Sequence, residues 1–378
     1  MRLSRHVVQT TDTNSRLVYF NTVTRKSLPL DSPEEQLRQD FFLAGQEEQA
    51  LQSVYDQRIK RFSTHIITTR QCNLRCPHCL ISHELVAKED HELDIPGIVD
   101  FIRRYTTEYK TPLLTIHFSG GENLLVVDRC LEIMRRLEDV ATDITYHMVT
   151  NLTVELTDKH FELFRKLTNM AVSIDGLEDC HNNQRLPLDK SLNAYQATIA
   201  NLKKLVFAGL KDKLIIQACV DGDKFTVEDR RQYYETMIQF GVQKVLISRI
   251  LPTIKQPAVT ASYTKALQRP KLTTQRCCKY RVGMMLIDYD GNVTSDYYSR
   301  SHLGTIYDSV DTINQRQMEL NATACVFSDP KCRECPAVGY CWGGCTSSEV
   351  AYKKLSDICD QAALIEHIQK MAADGKLA

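Results

Sequence analysis

Fourteen cysteines stand in a chain of 378 residues, and all but three fall in two groups. Cys72, Cys76 and Cys79 lie in QCNLRCPHC, a C-x3-C-x2-C spacing on one short stretch. Eight more lie between Cys277 and Cys359. Three thiolates on a tight loop can hold three irons of a four-iron cluster, which leaves the fourth iron without a protein ligand. A small molecule with an amine and a carboxylate can chelate an iron left open in this way. The spacing therefore points to a catalytic cluster with a free coordination position. A zinc half-site at Cys76 and Cys79 is the simpler alternative, since C-x2-C is common there.

A loop of this kind must be carried by a rigid frame. Residues 65–70, 113–119, 144–151, 170–175, 214–220 and 244–251 read as short apolar strands bounded by Gly, Asp, Asn or Ser. Amphipathic helical stretches lie between them, near 96–109, 125–139, 156–168, 192–209 and 227–240. Such alternation predicts parallel βαβ units, and six strands suit an α/β fold built as an open, partial (β/α)6 TIM-like barrel. Chemistry in these folds sits at the carboxyl ends of the strands. The cysteine loop, Gly120-Gly121-Glu122, Thr150-Asn151 and Asp175-Gly176 follow the first four strands in turn.

With these residues in place, the cysteine loop resembles the signature of radical S-adenosylmethionine (SAM) enzymes, and the resemblance runs from about residue 63 onward. It implies S-adenosylmethionine bound at the open iron of a 4Fe–4S cluster held by Cys72, Cys76 and Cys79. The implied chemistry is one-electron cleavage of the sulfonium to a 5′-deoxyadenosyl radical, which abstracts a substrate hydrogen atom. An electron donor such as a flavodoxin or ferredoxin is implied with it. The family usually has an aromatic residue before the third cysteine; here it is His78, expected to pack by the cofactor or stay solvated. Ser119-Gly120-Gly121-Glu122 resembles the family's Gly-Gly-Glu element, which implies that Glu122 pairs with the methionine amine. SIDGLEDCHNNQR resembles its SxDG…R segment, which implies that Ser173 and Arg185 hold the methionine carboxylate. Asn151 and Asp175 are candidates for cofactor or substrate contact, with turn capping as the alternative.

The C-terminal field is Cys332-x2-Cys335-x5-Cys341-x3-Cys345, with Cys359 following after thirteen intervening residues. It resembles the SPASM domain of radical enzymes that modify peptides and proteins. That resemblance implies one auxiliary 4Fe–4S cluster on Cys332, Cys335, Cys341 and Cys359, and a second on Cys345 with an upstream set. The upstream set departs from the pattern: Cys277, Cys278 and Gly291 are present, but Asp296 stands where a cysteine is usual. Asp296 is then either an oxygen ligand or, with Ser295 replacing the thiol, the counterpart of an Asp that some members use as a base. Cys325 is a further candidate ligand. A pair of structural zinc sites is the alternative for the whole field. The isolated Cys130, Cys180 and Cys219 read as small apolar residues. Tyr233-Tyr234 and Tyr297-Tyr298 are candidates for a substrate channel, with packing the simpler account.

Three segments follow from texture: residues 1–62 as a small N-terminal accessory segment, 63–255 as the barrel, and 256–378 as the cysteine-rich domain. Pro252, Pro257 and Pro270 mark the second join. Residues 17–30 read as two short strands and 32–62 as largely helical. Tyr19-Phe20-Asn21 with the following hairpin and helix resembles the accessory regions of peptide maturases, where a leader peptide adds as a strand to an exposed edge.

Lys plus Arg equal 47 and so do Asp plus Glu, so no global attraction to nucleic acid or anionic lipid is expected. No basic-apolar signal opens the chain and no run reaches the length of a membrane span. A cytoplasmic protein is expected. The combined expectation is a maturase of a ribosomally made precursor peptide that forms a C–C, thioether or ether cross-link. A formylglycine-generating sulfatase maturase, a peptide epimerase and a non-catalytic zinc scaffold are the alternatives.

Overall fold

The structure is a computed structural model. It describes residues 2–39, 41–56, 61–221, 224–242, 244–249, 282–296, 300–341 and 361–374. The chain divides into two compact units: Met1–Ile59 with Pro252–Val282 and Asn314–Ala378, and Lys60–Leu251 with Gly283–Ile313.

The larger unit holds a nine-stranded sheet. Its six expected parallel strands are β4 (Phe62–Thr69), β5 (Leu113–Gly120), β6 (Asp143–Thr150), β7 (Asn169–Ser173), β8 (Leu214–Val220) and β9 (Val245–Arg249), side by side in chain order. The intervening helices are α3 (Ile95–Tyr109), α4 (Val127–Leu137), α5 (Asp158–Lys166), α6 (Glu178–Gln184), α7 (Ala194–Phe207) and α8 (Val227–Gln239). Their starts follow from local chemistry. The Asp94 carboxylate accepts the Gly97 N–H at the head of α3, and Pro96 occupies its first turn. Thr226 and Asp229 form a reciprocal capping box on α8.

Alternate residues of the strands are fully buried: Phe62 and Ile66, Leu114, Ile116 and Phe118, Met170 and Val172, Leu214, Ile216 and Ala218. Phe62 stacks on Tyr105 of α3, which places this set against the helices. The opposite face is more polar and more open, and Val149 is 45% exposed there. Tyr233 is core, its hydroxyl donating to the Ile174 carbonyl at 2.6 Å.

Three further strands extend the sheet: β10 (Met284–Ile287), β11 (Asn292–Thr294) and β12 (His302–Thr305). β10 lies parallel to β4, and β11 and β12 follow antiparallel. Residues 283–313 thus belong to the barrel unit, whereas texture assigned them to the cysteine-rich segment. Burial of Met285, Leu286 and Ile287 is the physical reason. Among the described residues the sheet is open, ending at β12 and β9.

The smaller unit has an antiparallel sheet of β1 (Val7–Thr11), β2 (Leu17–Asn21) and β3 (Ser27–Pro29), then α1 (Glu34–Gln39) and α2 (Glu47–Asp56). Residues 1–59 do not stand apart from the cysteine-rich chain. Phe20, Val23 and Leu51 share one core with Cys335, Val338, Leu364 and Ile368. The Thr22 hydroxyl donates to the Pro336 carbonyl at 2.7 Å, and Arg25 donates to that of Gly339 at 2.9 Å.

One feature of the open sheet face titrates. His65, His117 and His147 are register partners on β4, β5 and β6, and their rings stack at 4.3 and 4.8 Å. Burial pushes His65 down to about 4, helped by the charge of His147. Burial pushes His117 to about 3, with His65 and His147 adding to it. Burial and then Arg61 lower His147. Each folded value lies below the unfolded one, so the unfolded chain takes up protons first as pH falls. The rings' contribution to stability is therefore fully present above about 6.5 and is lost as pH falls toward about 3. Replacing His117 with Asn is expected to flatten this decline, read as the slope of melting temperature between pH 6.5 and 5.

Candidate active site

The cysteine loop leaves the carboxyl end of β4 and is gripped from three sides. On the first, the Gly121 N–H donates to the Thr69 carbonyl at 2.9 Å and the Glu122 N–H to that of Gln71 at 2.8 Å. The approach is too close for side chains: a Cβ on Gly120, whose φ is +123°, would sit 2.4 Å from the Thr69 oxygen. One on Gly121 would sit 2.0 Å from that of Gln71. On the second side, Leu188 N–H donates to the Asn73 carbonyl at 3.0 Å and Arg75 N–H to that of Leu186 at 2.7 Å. On the third, the Asn151 amide donates to Asn73 Oδ1 at 2.9 Å, and the Asn73 amide to Thr153 Oγ1 at 2.7 Å.

All three loop cysteines are half-buried. Burial pushes the thiol of Cys72 up to about 11 and that of Cys76 to about 12, and raises Cys79 too. Thiols so placed stay protonated on their own; cationic metal is what turns such groups into thiolates. A single zinc ion with bonds of about 2.3 Å would draw its sulfurs to about 4 Å apart. Among the described residues, the one trio with ligand atoms gathered within 4.8 Å is His78, Asp175 and Cys219, not the loop cysteines.

Glu122 is buried, and both oxygens are engaged. Oε1 accepts from the Thr150 hydroxyl at 2.7 Å and the Leu124 N–H at 3.0 Å; Oε2 accepts from the Asn151 N–H at 2.7 Å. Burial raises its pKa against the pull of these bonds. The carboxylate therefore braces the ends of β5 and β6. Arg185 is likewise held by protein. Its guanidinium forms two bonds to Asp175, at 2.7 and 3.0 Å, inside the protein. Burial works against its charge, but Asp175 and Cys76 more than offset this and hold it above its ordinary value. Asp175 also accepts the Cys219 N–H at 2.7 Å and lies 3.6 Å from His78 Nε2. His78 thus lies beside Asp175, largely shielded from solvent. Cys219 sits at the carboxyl end of β8 beside this group, while Cys130 is fully buried as expected of a small apolar residue.

Ser119 meets His65 Nδ1 at 3.2 Å, and Ser173 is buried at the end of β7. Asp296 is buried and accepts from the Ser295 hydroxyl at 3.0 Å. Cys277, Cys278, Tyr297, Tyr298, Cys345, Cys359 and the side chain of Cys325 lie outside the described residues. Sequence reasoning missed Asn73, Thr153, Cys219 and the 186–188 segment. The available signal for Asn73, Thr153 and Cys219 was position, since each stands at or just beyond a strand's carboxyl end.

Residues 66–237 match the family model of the radical SAM superfamily. The chain carries a radical SAM domain. No curated protein matches it. Among solved structures, it is similar to anSMEcpe with bound AdoMet and the peptide Cp18Cys, at 15% identity and TM-score 0.59, over 83% of this chain and 97% of that one. It is also similar to Streptococcus suis SuiB, at 13% identity and TM-score 0.56, over 95% and 100%. SuiB bound to precursor peptide SuiA aligns at 12% identity and TM-score 0.54, over 94% and 98%. At these identities the likeness is one of fold. The radical SAM family implies S-adenosylmethionine and a 4Fe–4S cluster, and the half-buried loop thiols fit that group.

Proposed function

We propose that this radical SAM enzyme matures a ribosomally made precursor peptide by forming an oxidative side-chain cross-link, C–C, thioether or ether. The observation that carries the reading is in the smaller unit. Cys332, Cys335 and Cys341 line one pocket, with Lys331, Val338, Gln361 and Leu364 completing its wall. Burial raises the Cys335 thiol, as at the loop. This convergence supports a SPASM-type auxiliary 4Fe–4S cluster, with Cys359 as its fourth ligand. Peptides bound by anSMEcpe and SuiB support the substrate class.

When bound, S-adenosylmethionine and the reduced loop cluster supply hydrogen-atom abstraction. Cys72, Cys76 and Cys79 would hold the loop cluster. Ser119, Gly120, Gly121, Asn151, Ser173 and Asp175 share the carboxyl ends of the strands and would face the cofactor, with Glu122 toward the methionine amine and Arg185 with Ser173 toward its carboxylate. Oxidative cross-linking removes two electrons, one by hydrogen abstraction and one that an auxiliary cluster would accept. Asp296 is the proposed base. A second auxiliary cluster on Cys345 with Cys277, Cys278 or Cys325 belongs to the same proposal. An edge of the β1–β3 sheet would take the leader peptide as an added strand. A flavodoxin- or ferredoxin-class donor would supply electrons, in the cytoplasm. Among the described residues, no helix is long and apolar enough to cross a membrane.

Coexpression with a short neighbouring reading frame, followed by mass spectrometry, tests this reading. Loss of two hydrogens from the peptide is expected. An unchanged mass with inverted stereochemistry, or conversion of a Cys or Ser to formylglycine, would replace cross-linking by epimerase or sulfatase-maturase activity. Zinc in place of iron and sulfide would replace the enzyme by a scaffold.

A further inference from the structure

Asn151 is fixed more completely than a turn cap requires. Its N–H donates to Glu122 Oε2 at 2.7 Å, and its carbonyl accepts from the Thr198 hydroxyl at 2.9 Å. Its side-chain oxygen accepts from the Thr153 N–H at 2.9 Å and the Thr153 hydroxyl at 2.7 Å. A backbone N–H can only donate, so the amide cannot be flipped, and its NH2 must face the other way. One hydrogen of that group goes to Asn73 Oδ1 at 2.9 Å. The other faces Cys72 Sγ, 3.9 Å away, on the same sulfur that takes the Leu74 N–H at 3.4 Å.

Hydrogen bonds to cluster sulfurs stabilise the more electron-rich, reduced state and raise the reduction potential. We infer that Asn151 is a positioning residue for the loop cluster, its amide donating to the Cys72 thiolate and setting how readily the cluster accepts an electron. The inference rests on the radical SAM reading of the loop. It assigns Asn151 a task different from contact with the cofactor. Glu122 gains a task as well: by holding the Asn151 backbone, it aims this donor.

The test is a potentiometric titration of the reconstituted full chain, followed by electron paramagnetic resonance. Asn151→Leu keeps similar bulk and removes the donor. The midpoint of the loop cluster is expected to move negative, with the reduction equilibrium weakened about tenfold, or about 59 mV for one electron. Thr153→Val loosens the same loop but leaves the amide donor, so its midpoint should stay with the wild type. An unmoved midpoint in Asn151→Leu, or an equal shift in both variants, overturns the inference. Should Asn151→Leu lose its cluster, pulsed resonance of the reduced Asn73→Ala protein with 15N-labelled asparagine decides. A nitrogen coupling supports the inference and its absence overturns it. A wild-type protein without any loop cluster would instead overturn the reading beneath.

Discussion

Replacing Cys76 with Ala is expected to abolish formation of deoxyadenosine from S-adenosylmethionine. Two thiolates cannot hold a cluster that needs three, and no other described cysteine shares the loop. The fold should survive the change. The loop is anchored by the backbone bonds at Gly121, Glu122, Arg75 and Leu188, and none of them uses the Cys76 side chain. Melting temperature and circular dichroism should therefore stay close to wild type, while iron falls by the loop's share and the product drops below detection. This pairing separates lost chemistry from lost structure. Deoxyadenosine formed at a wild-type rate by the purified variant would refute the assignment of the loop.

The second large effect is expected at Cys335. Its side chain is 5% exposed, inside the core of the smaller unit, and its carbonyl meets His6 Nδ1 at 3.1 Å. Cys335→Ala removes one sulfur from that core, a packing loss of about 1 kcal/mol, and one ligand from the proposed auxiliary cluster. Deoxyadenosine formation, which depends on the loop in the other unit, should persist within a few-fold. Formation of modified peptide should be lost. The split between the two rates carries the argument, because simple destabilisation would lower both together. Modification at the wild-type rate would remove the auxiliary cluster from the reaction.

The six parallel strands were legible because each combines a short apolar run with a Gly, Asn, Asp or Ser at its end. The helices between them carry a clear 3.6-residue period. The strands that escaped notice lack those signals or depend on distant partners. β1 reads VVQTT, half of it polar. β10 is apolar enough, but its parallel pairing with β4 joins segments far apart in sequence, which no local pattern encodes. At the site, the residue types were readable and their partners were not. Glu122 and Arg185 were expected to meet a ligand, as charged groups beside a cofactor loop commonly do. Each also meets protein: Glu122 the turn after β6, and Arg185 the Asp ten residues before it. A buried charge needs compensation in the folded chain itself, and the spacing of charges along a sequence does not say which neighbour supplies it. The cysteine loop was legible because its function lies in its spacing.

The most direct measurement is titration of the reduced, reconstituted protein with S-adenosylmethionine, followed by electron paramagnetic resonance. The account predicts that one cluster signal changes saturably on addition, that Cys76→Ala lacks this signal, and that Cys335→Ala retains it. A cluster spectrum indifferent to the sulfonium at saturating concentration would contradict it.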